Sequence, residues 1–172
     1  VIVDGIQHAA HGLLDIESYN IDGYVISPYK MFSRHGYGVA WISDRLTDLK
    51  HEMLEDGPAR NWELGTRDTG AYATMSDVVE YLDWLGTQFS ASKDRRSRIV
   101  AAGDAIQAHE KILTNAVLFG KDNLKGVSEL DGIEILGGVD NHRREGLVSL
   151  RSKSMTSADL VAALGRYNIC LL

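Results

Sequence analysis

The chain has 172 residues and 19.0 kDa, is 44% hydrophobic and 24% charged, and so can bury an ordinary core; disorder is not its default state. A net charge of -6 and a pI near 5.5 exclude a general attraction to phosphate backbones or anionic membranes, and the 18 basic residues form no long run. One cysteine, Cys170, excludes an internal disulfide framework and any multi-cysteine metal site, and no stretch approaches the roughly 18 to 20 apolar residues of a membrane span.

Three short apolar runs, residues 1–3, 23–27 and 37–42, are rich in β-branched or aromatic residues and bounded by Gly, Asp or Ser, which predicts strands. Their nearly continuous apolar character suits a sheet covered by helices on both faces and predicts an α/β fold. Asp44 can cap a helix to about residue 54, stopped by Gly57-Pro58, with a loop over 58–70. From Ser76 as N-cap, the spacing of Val78, Val79, Leu82 and Leu85 predicts a helix ending at Gly86. After a polar stretch at 90–94, a helix over about 95–119 places Ile99, Ala102, Ile106, Leu113 and Ala116 on one side, and Gly120 closes it. Strands at 133–136 and 147–150 and a helix capped by Ser157 through about 164 predict a second, smaller α/β unit.

The chemistry-bearing block is Asp4-Gly-Ile-Gln7, then His11, Asp15 and Asp22, then Ser27-Pro-Tyr-Lys30 and Gly36-Tyr-Gly38. Asp4 sits at the carboxyl end of one predicted strand and Lys30 follows another by three residues, so both side chains can reach the crevice at the strand ends where open α/β sheets bind ligands. An amine and a carboxylate facing one pocket are what pyridoxal 5'-phosphate (PLP) requires: a lysine to form a Schiff base, and an acid that keeps the pyridine nitrogen protonated. Taken singly, a lysine after a strand is a solvated residue and an Asp before Gly a turn former; only the joint pattern points to a site.

This pattern, Val3-Asp-Gly-Ile-Gln7 with Ile21-Asp-Gly-Tyr-Val-Ile-Ser27, Lys30 and the Gly36-Tyr-Gly38 strand, resembles the lysine-bearing half of class V aminotransferase-fold (fold type I) enzymes, particularly cysteine desulfurases. The likeness continues through Glu63-Leu-Gly-Thr66, Tyr81-Leu-Asp-Trp-Leu-Gly86, His109-Glu110 and the segment 157–169. It implies the aspartate aminotransferase-like α/β/α large domain in part, over residues 1–94, followed at 95–172 by a bridging helix and the start of a small α/β domain. It also implies that Lys30 holds PLP as a Schiff base and then moves the α-proton of an amino acid. Asp4 would pair with the pyridine nitrogen, Gln7 with the ring's 3-oxygen and Ser27 with the phosphate. Tyr29 stands where the family usually has histidine; it can donate one hydrogen bond to the phosphate but carries no positive charge. Thr66 would reach the phosphate of a neighbouring subunit, which makes the expected state a homodimer with shared active sites. Arg67-Asp68 departs from the proline or asparagine that many desulfurases carry after Gly-Thr. The activity implied is C–S bond cleavage of the cysteine desulfurase type; an epimerase or aminotransferase of the same family shares every residue named, and a noncatalytic, degenerate domain of this fold is the alternative from another class.

Blander roles are expected elsewhere. His8 and His11 lack partnering ligands at metal spacing and are assigned structural roles, so no metal is expected. Gly36-Tyr-Gly38 precedes a strand, which points to a backbone needing small residues instead of a phosphate loop. His109-Glu110 is taken as structural, Arg143-Arg144 as a solvated loop pair, Trp62 and Trp84 as packing residues, and Cys170 as a buried inert thiol in an apolar strand. The family's ring-stacking histidine, Gly/Thr phosphate loop and carboxylate-binding arginine have no match here; with a start lacking Met and an end inside an apolar run, the sequence is expected to be a piece of a longer enzyme. It is expected to be cytoplasmic, to act on a small-molecule amino acid, and to have no nucleic-acid or membrane partner.

Overall fold

A computed structural model describes residues 1–65 and 68–171. Strand β1 (Ile2–Asp4) pairs in parallel with β2 (Gly23–Ile26), with Val3 opposite Tyr24 and Asp4 opposite Val25. Strand β3 (Val39–Ile42) returns antiparallel to β2, Ile26 meeting Val39 and Tyr24 meeting Trp41. The sheet order is therefore β1-β2-β3. Because side chains alternate across a strand, Tyr24 and Ile26 share one face, and both are buried, with Ala9, Met31 and Val78 packed against them. The strand edge at β1 is less covered than a two-sided helix layer would leave it, since Ile2 remains exposed.

Helix α1 (Asp44–Thr47) is a single turn, shorter than the helix expected to residue 54. Its continuation would have no apolar face to bury: Leu49, Met53 and Leu54 are all exposed, and short helices without tertiary packing are marginal. Arg60, returning from the loop, bonds Asp44 Oδ1 at 2.5 Å and Thr47 Oγ1 at 2.6 Å, and closes the turn instead. Helix α2 (Thr69–Gly86) begins seven residues before the expected Ser76 cap. The cap is Asp68, whose carboxylate accepts from the Ala71 amide at 2.9 Å. Val78 is buried from α2 as expected, but Trp84 is 58% exposed and is no core residue. Trp62 stacks on His51 with centroids 4.6 Å apart.

Helix α3 (Arg95–Phe119) has the predicted bounds. Packing divides the chain into two compact units, Val1–Ile106 and Gln107–Leu172, and α3 contributes to each. In the first, Gly103 lies against Leu13 and Ala102 is fully buried; in the second, Leu118 is buried while Leu113, expected on the inner face, is exposed.

The second unit opens with a hairpin that the sequence did not announce. Strands β4 (Gly120–Lys121) and β5 (Leu124–Lys125) are joined through Asp122 at φ 55°. Gly120, at φ 81°, admits no side chain, since a Cβ would fall 2.0 Å from the Leu124 carbonyl oxygen. Strand β6 (Ile133–Ile135) pairs antiparallel with β7 (Leu150–Ser152), the latter beginning where the predicted strand at 147–150 was to end. Arg144 is not a solvated loop charge: its guanidinium donates to the carbonyls of Leu136 at 3.1 Å, Gly138 at 2.6 Å and Leu147 at 2.9 Å, tying the connection shut. Helix α4 (Ser157–Gly165) is capped by Thr156, which accepts from the Asp159 amide at 3.2 Å, one residue ahead of the expected Ser157. Cys170 is exposed and lies outside any strand, against the expectation of a buried thiol: among the described residues no strand pairs with the chain there to cover it. No helix among the described residues is long and apolar enough to cross a membrane.

Candidate active site at the strand ends

The parallel register fixes where the two principal groups emerge. Asp4 is the last residue of β1 and lies beside Val25; β2 ends at Ile26, Ser27 follows, and the 3-10 turn Pro28–Met31 carries Tyr29 and Lys30. Pro28 at the first position of that turn is pre-set for it and fully buried, and the Lys30 amide donates to the Ser27 carbonyl at 3.0 Å. Asp4 thus ends β1, and Lys30 lies four residues past the end of its parallel neighbour β2, in the turn that leaves that strand's carboxyl end.

Their functional groups are not spent on each other or on a salt bridge. Among the described residues Asp4 makes one bond, accepting from the Ile6 amide at 3.1 Å, and faces no cation; it is exposed. Lys30 is half-buried, its Nζ 5.7 Å from the Tyr29 ring centroid, with no carboxylate partner among the described residues. Gln7 and Ser27 sit at cap positions of their turns yet neither side chain makes a capping bond. Tyr29, 39% exposed, stacks on His35 at 4.2 Å and 20°. Thr66 lies outside the described residues.

Of the two histidines, His8 makes a contact within the fold. His8 Nδ1 is 2.6 Å from the Tyr24 hydroxyl. Asp22 pairs with Arg45 at 2.7 Å. His109 and Glu110 lie on α3.

Sequence reasoning missed the segment after the lysine. Phe32 adopts φ 71°, unusual for a bulky residue, and ends the lysine turn by donating its amide to Pro28 O. Beyond it, Ser33 Oγ is 2.5 Å from both Tyr37 Oη and Thr74 Oγ1, and Arg34 pairs with Asp68 at 2.9 Å. Phe32 and Tyr81 meet edge to face at 5.5 Å. Phe32, Ser33, Arg34, Thr74 and Tyr81 line an open depression of about 540 Å³, which includes none of the expected site groups. No local motif signals them, because Thr74 and Tyr81 come from α2. Gly36, at φ 102°, bears out the expected need for a small residue. A separate apolar cavity of about 120 Å³, lined by Leu14, Met31, Val78, Leu82, Ile99 and Ile106 among others, includes none of the expected site groups.

The donor set fits PLP on chemical grounds. It offers an amine and a carboxylate free of ion pairs, hydroxyls at Ser27 and Tyr29 for a phosphate, and an amide at Gln7 for a ring oxygen. The fold that carries it is the α/β fold of PLP-dependent transferases of fold type I, with part of the large domain followed by part of a small α/β domain. The chain belongs to the class-V aminotransferase family, whose model matches residues 1–172. It is 23% identical to cysteine desulfurases of Escherichia coli and Shigella flexneri over 99% of its length, spanning 40% of theirs. A crystal structure of an Escherichia coli cysteine desulfurase, in an S-sulfonic acid form, superposes with a TM-score of 0.62 at 22% identity, covering 99% of this chain and 40% of that one.

Proposed function

We propose that this chain carries the PLP-attachment half of an enzyme acting on an amino acid, with C–S bond cleavage of the cysteine desulfurase type as its reaction. The observation that carries the reading is the pair of uncompensated charges, Asp4 and Lys30, at the ends of adjacent parallel strands. When bound, PLP supplies an electron-withdrawing ring that disperses the charge left by α-proton removal. The Lys30 amine would be the covalent attachment point for PLP and, when free, would serve as the base for the α-proton. Asp4 would hold a proton on the ring nitrogen, Gln7 would donate to the ring's 3-oxygen, and Ser27 and Tyr29 would bind the phosphate through their hydroxyls. Thr66 completes a phosphate site across a homodimer. Residues 1–94 serve as the PLP-binding part of the large domain and 95–172 as the bridging helix and start of the small domain, in a cytoplasmic protein.

The test is a spectroscopic PLP titration of the protein and two variants. Wild type is expected to develop the visible absorption of lysine-bound PLP, Lys30→Ala to show free PLP only, and Asp4→Ala to bind roughly 10- to 100-fold more weakly, the scale of one lost charge-assisted hydrogen bond. A wild-type spectrum identical to that of Lys30→Ala would overturn the reading.

A further inference from the structure

We propose that Tyr24 is a positioning residue for Asp4 and Gln7, a single buried phenol around which the cofactor-facing turn is wrapped; this rests on the role just proposed for those two side chains. Tyr24 is 2% exposed, among the largest fully buried side chains, yet it carries a hydroxyl into a cluster of Ala9, Ile26, Met31 and Val78. A buried hydroxyl needs partners, and His8 Nδ1, on the residue immediately after Gln7, lies 2.6 Å from it. At the other end of the turn, the ring presses on the residue immediately after Asp4: a Cβ on Gly5 would lie 2.1 Å from Tyr24 Cζ and 2.3 Å from Cε1 and Oη.

The backbone closes the same loop. Gly5 donates its amide to Val25 O at 2.9 Å, Ala9 donates to Gly5 O at 2.9 Å, and Asp4 accepts from Ile6 N at 3.1 Å. Residues 4–9 therefore have two fixed points, the hydroxyl end of the ring against Gly5 and the phenolic oxygen at His8, with Asp4 one residue before the first and Gln7 one residue before the second. A side chain one bond from a clamped backbone loses little further freedom on binding, so the clamp lowers the cost of ordering both ligands to the ring. If Tyr24 were core filling alone, its hydroxyl and His8 would be dispensable. The arrangement also gives Gly5 a steric reason to be glycine that its conformation does not supply, since it is not among the positive-φ residues.

Tyr24→Phe tests the hydroxyl apart from the ring, because it keeps the ring beside Gly5 and removes the oxygen that meets His8 Nδ1 and approaches Gly5. In the PLP-free protein, amide exchange at Gly5 and Ala9 is expected to quicken about tenfold in Tyr24→Phe and His8→Ala, while amides in α2 and the melting temperature change little. PLP affinity is expected to fall about tenfold in both, with His8→Asn, which keeps a polar nitrogen near the same place, recovering most of the loss. Unchanged exchange at Gly5 and Ala9 in Tyr24→Phe would overturn the proposal, as would PLP affinity equal to wild type. Should wild type bind no PLP, the functional reading fails, yet the exchange measurement still decides whether the clamp exists.

Discussion

Tyr29 is where this chain tests its own resemblance most sharply. A histidine in that place could bring a positive charge to a phosphate; the phenol brings one neutral donor, held flat against His35. Removing the hydroxyl in Tyr29→Phe is expected to weaken PLP binding roughly 3- to 10-fold, the range of one neutral hydrogen bond, and Tyr29→His to tighten it at pH below the imidazole pKa. Both are read from the same titration; equal affinities for all three proteins would remove Tyr29 from the phosphate site. Asp4 and Lys30 were legible because their placement depends on local events only: a strand of three residues ending in an acid, and a strand followed by Ser-Pro. The Tyr24 clamp was not legible, because nothing in a sequence shows which hydroxyl lands on which histidine sixteen positions away.

At the scale of elements, α2 and the start of α3 are joined by a close glycine contact and a forked ion pair. A Cβ on Gly86 would lie 1.9 Å from the Arg98 carbonyl oxygen, a backbone atom that cannot swing aside, so Gly86→Ala is expected to cost about 1–3 kcal/mol in denaturant unfolding. Arg98 meets Asp83 with Nε to Oδ1 at 2.5 Å and Nη2 to Oδ2 at 2.8 Å. That hydrogen bonding, foremost, holds the Asp83 carboxyl below its usual range. A depressed carboxylate stabilises the fold above its unfolded pKa of about 3.9 and ceases to do so as pH falls through the lower folded value. Asp83→Asn is thus expected to melt below wild type at pH 7, with the gap closing as pH drops beneath about 4; a gap constant from pH 7 to pH 3 would contradict the pairing. The start of α2 escaped sequence reading because Asp68 and Ser76 are both competent caps, and only the chain's path chose between them. α1 was overread for the converse reason: a capping residue was present, but no surface waited to bury Leu49, Met53 and Leu54. The β4–β5 hairpin has two-residue strands, too short for any periodicity to register.

The whole molecule divides into two compact units, and the proposed groups with described positions all belong to the first. The proposed reach of Thr66 to a second copy's phosphate requires a dimer, so sedimentation at working concentration is expected to give twice the mass of 19.0 kDa, and a monomer would remove the shared-site proposal. The α/β class was legible from the continuous apolar runs, since strand interiors announce themselves by composition. The clamp formed by Arg144 in the second unit was not, because an arginine that bonds backbone carbonyls looks in sequence like any solvated cation. The proposed attachment of PLP at Lys30, with Asp4 at the ring nitrogen, is tested most directly by borohydride reduction of the PLP-treated protein followed by peptide mass mapping. The account predicts one stable pyridoxyl adduct, on the peptide containing Lys30. Label on Lys50, Lys93 or another lysine instead, or no adduct at all, would contradict it.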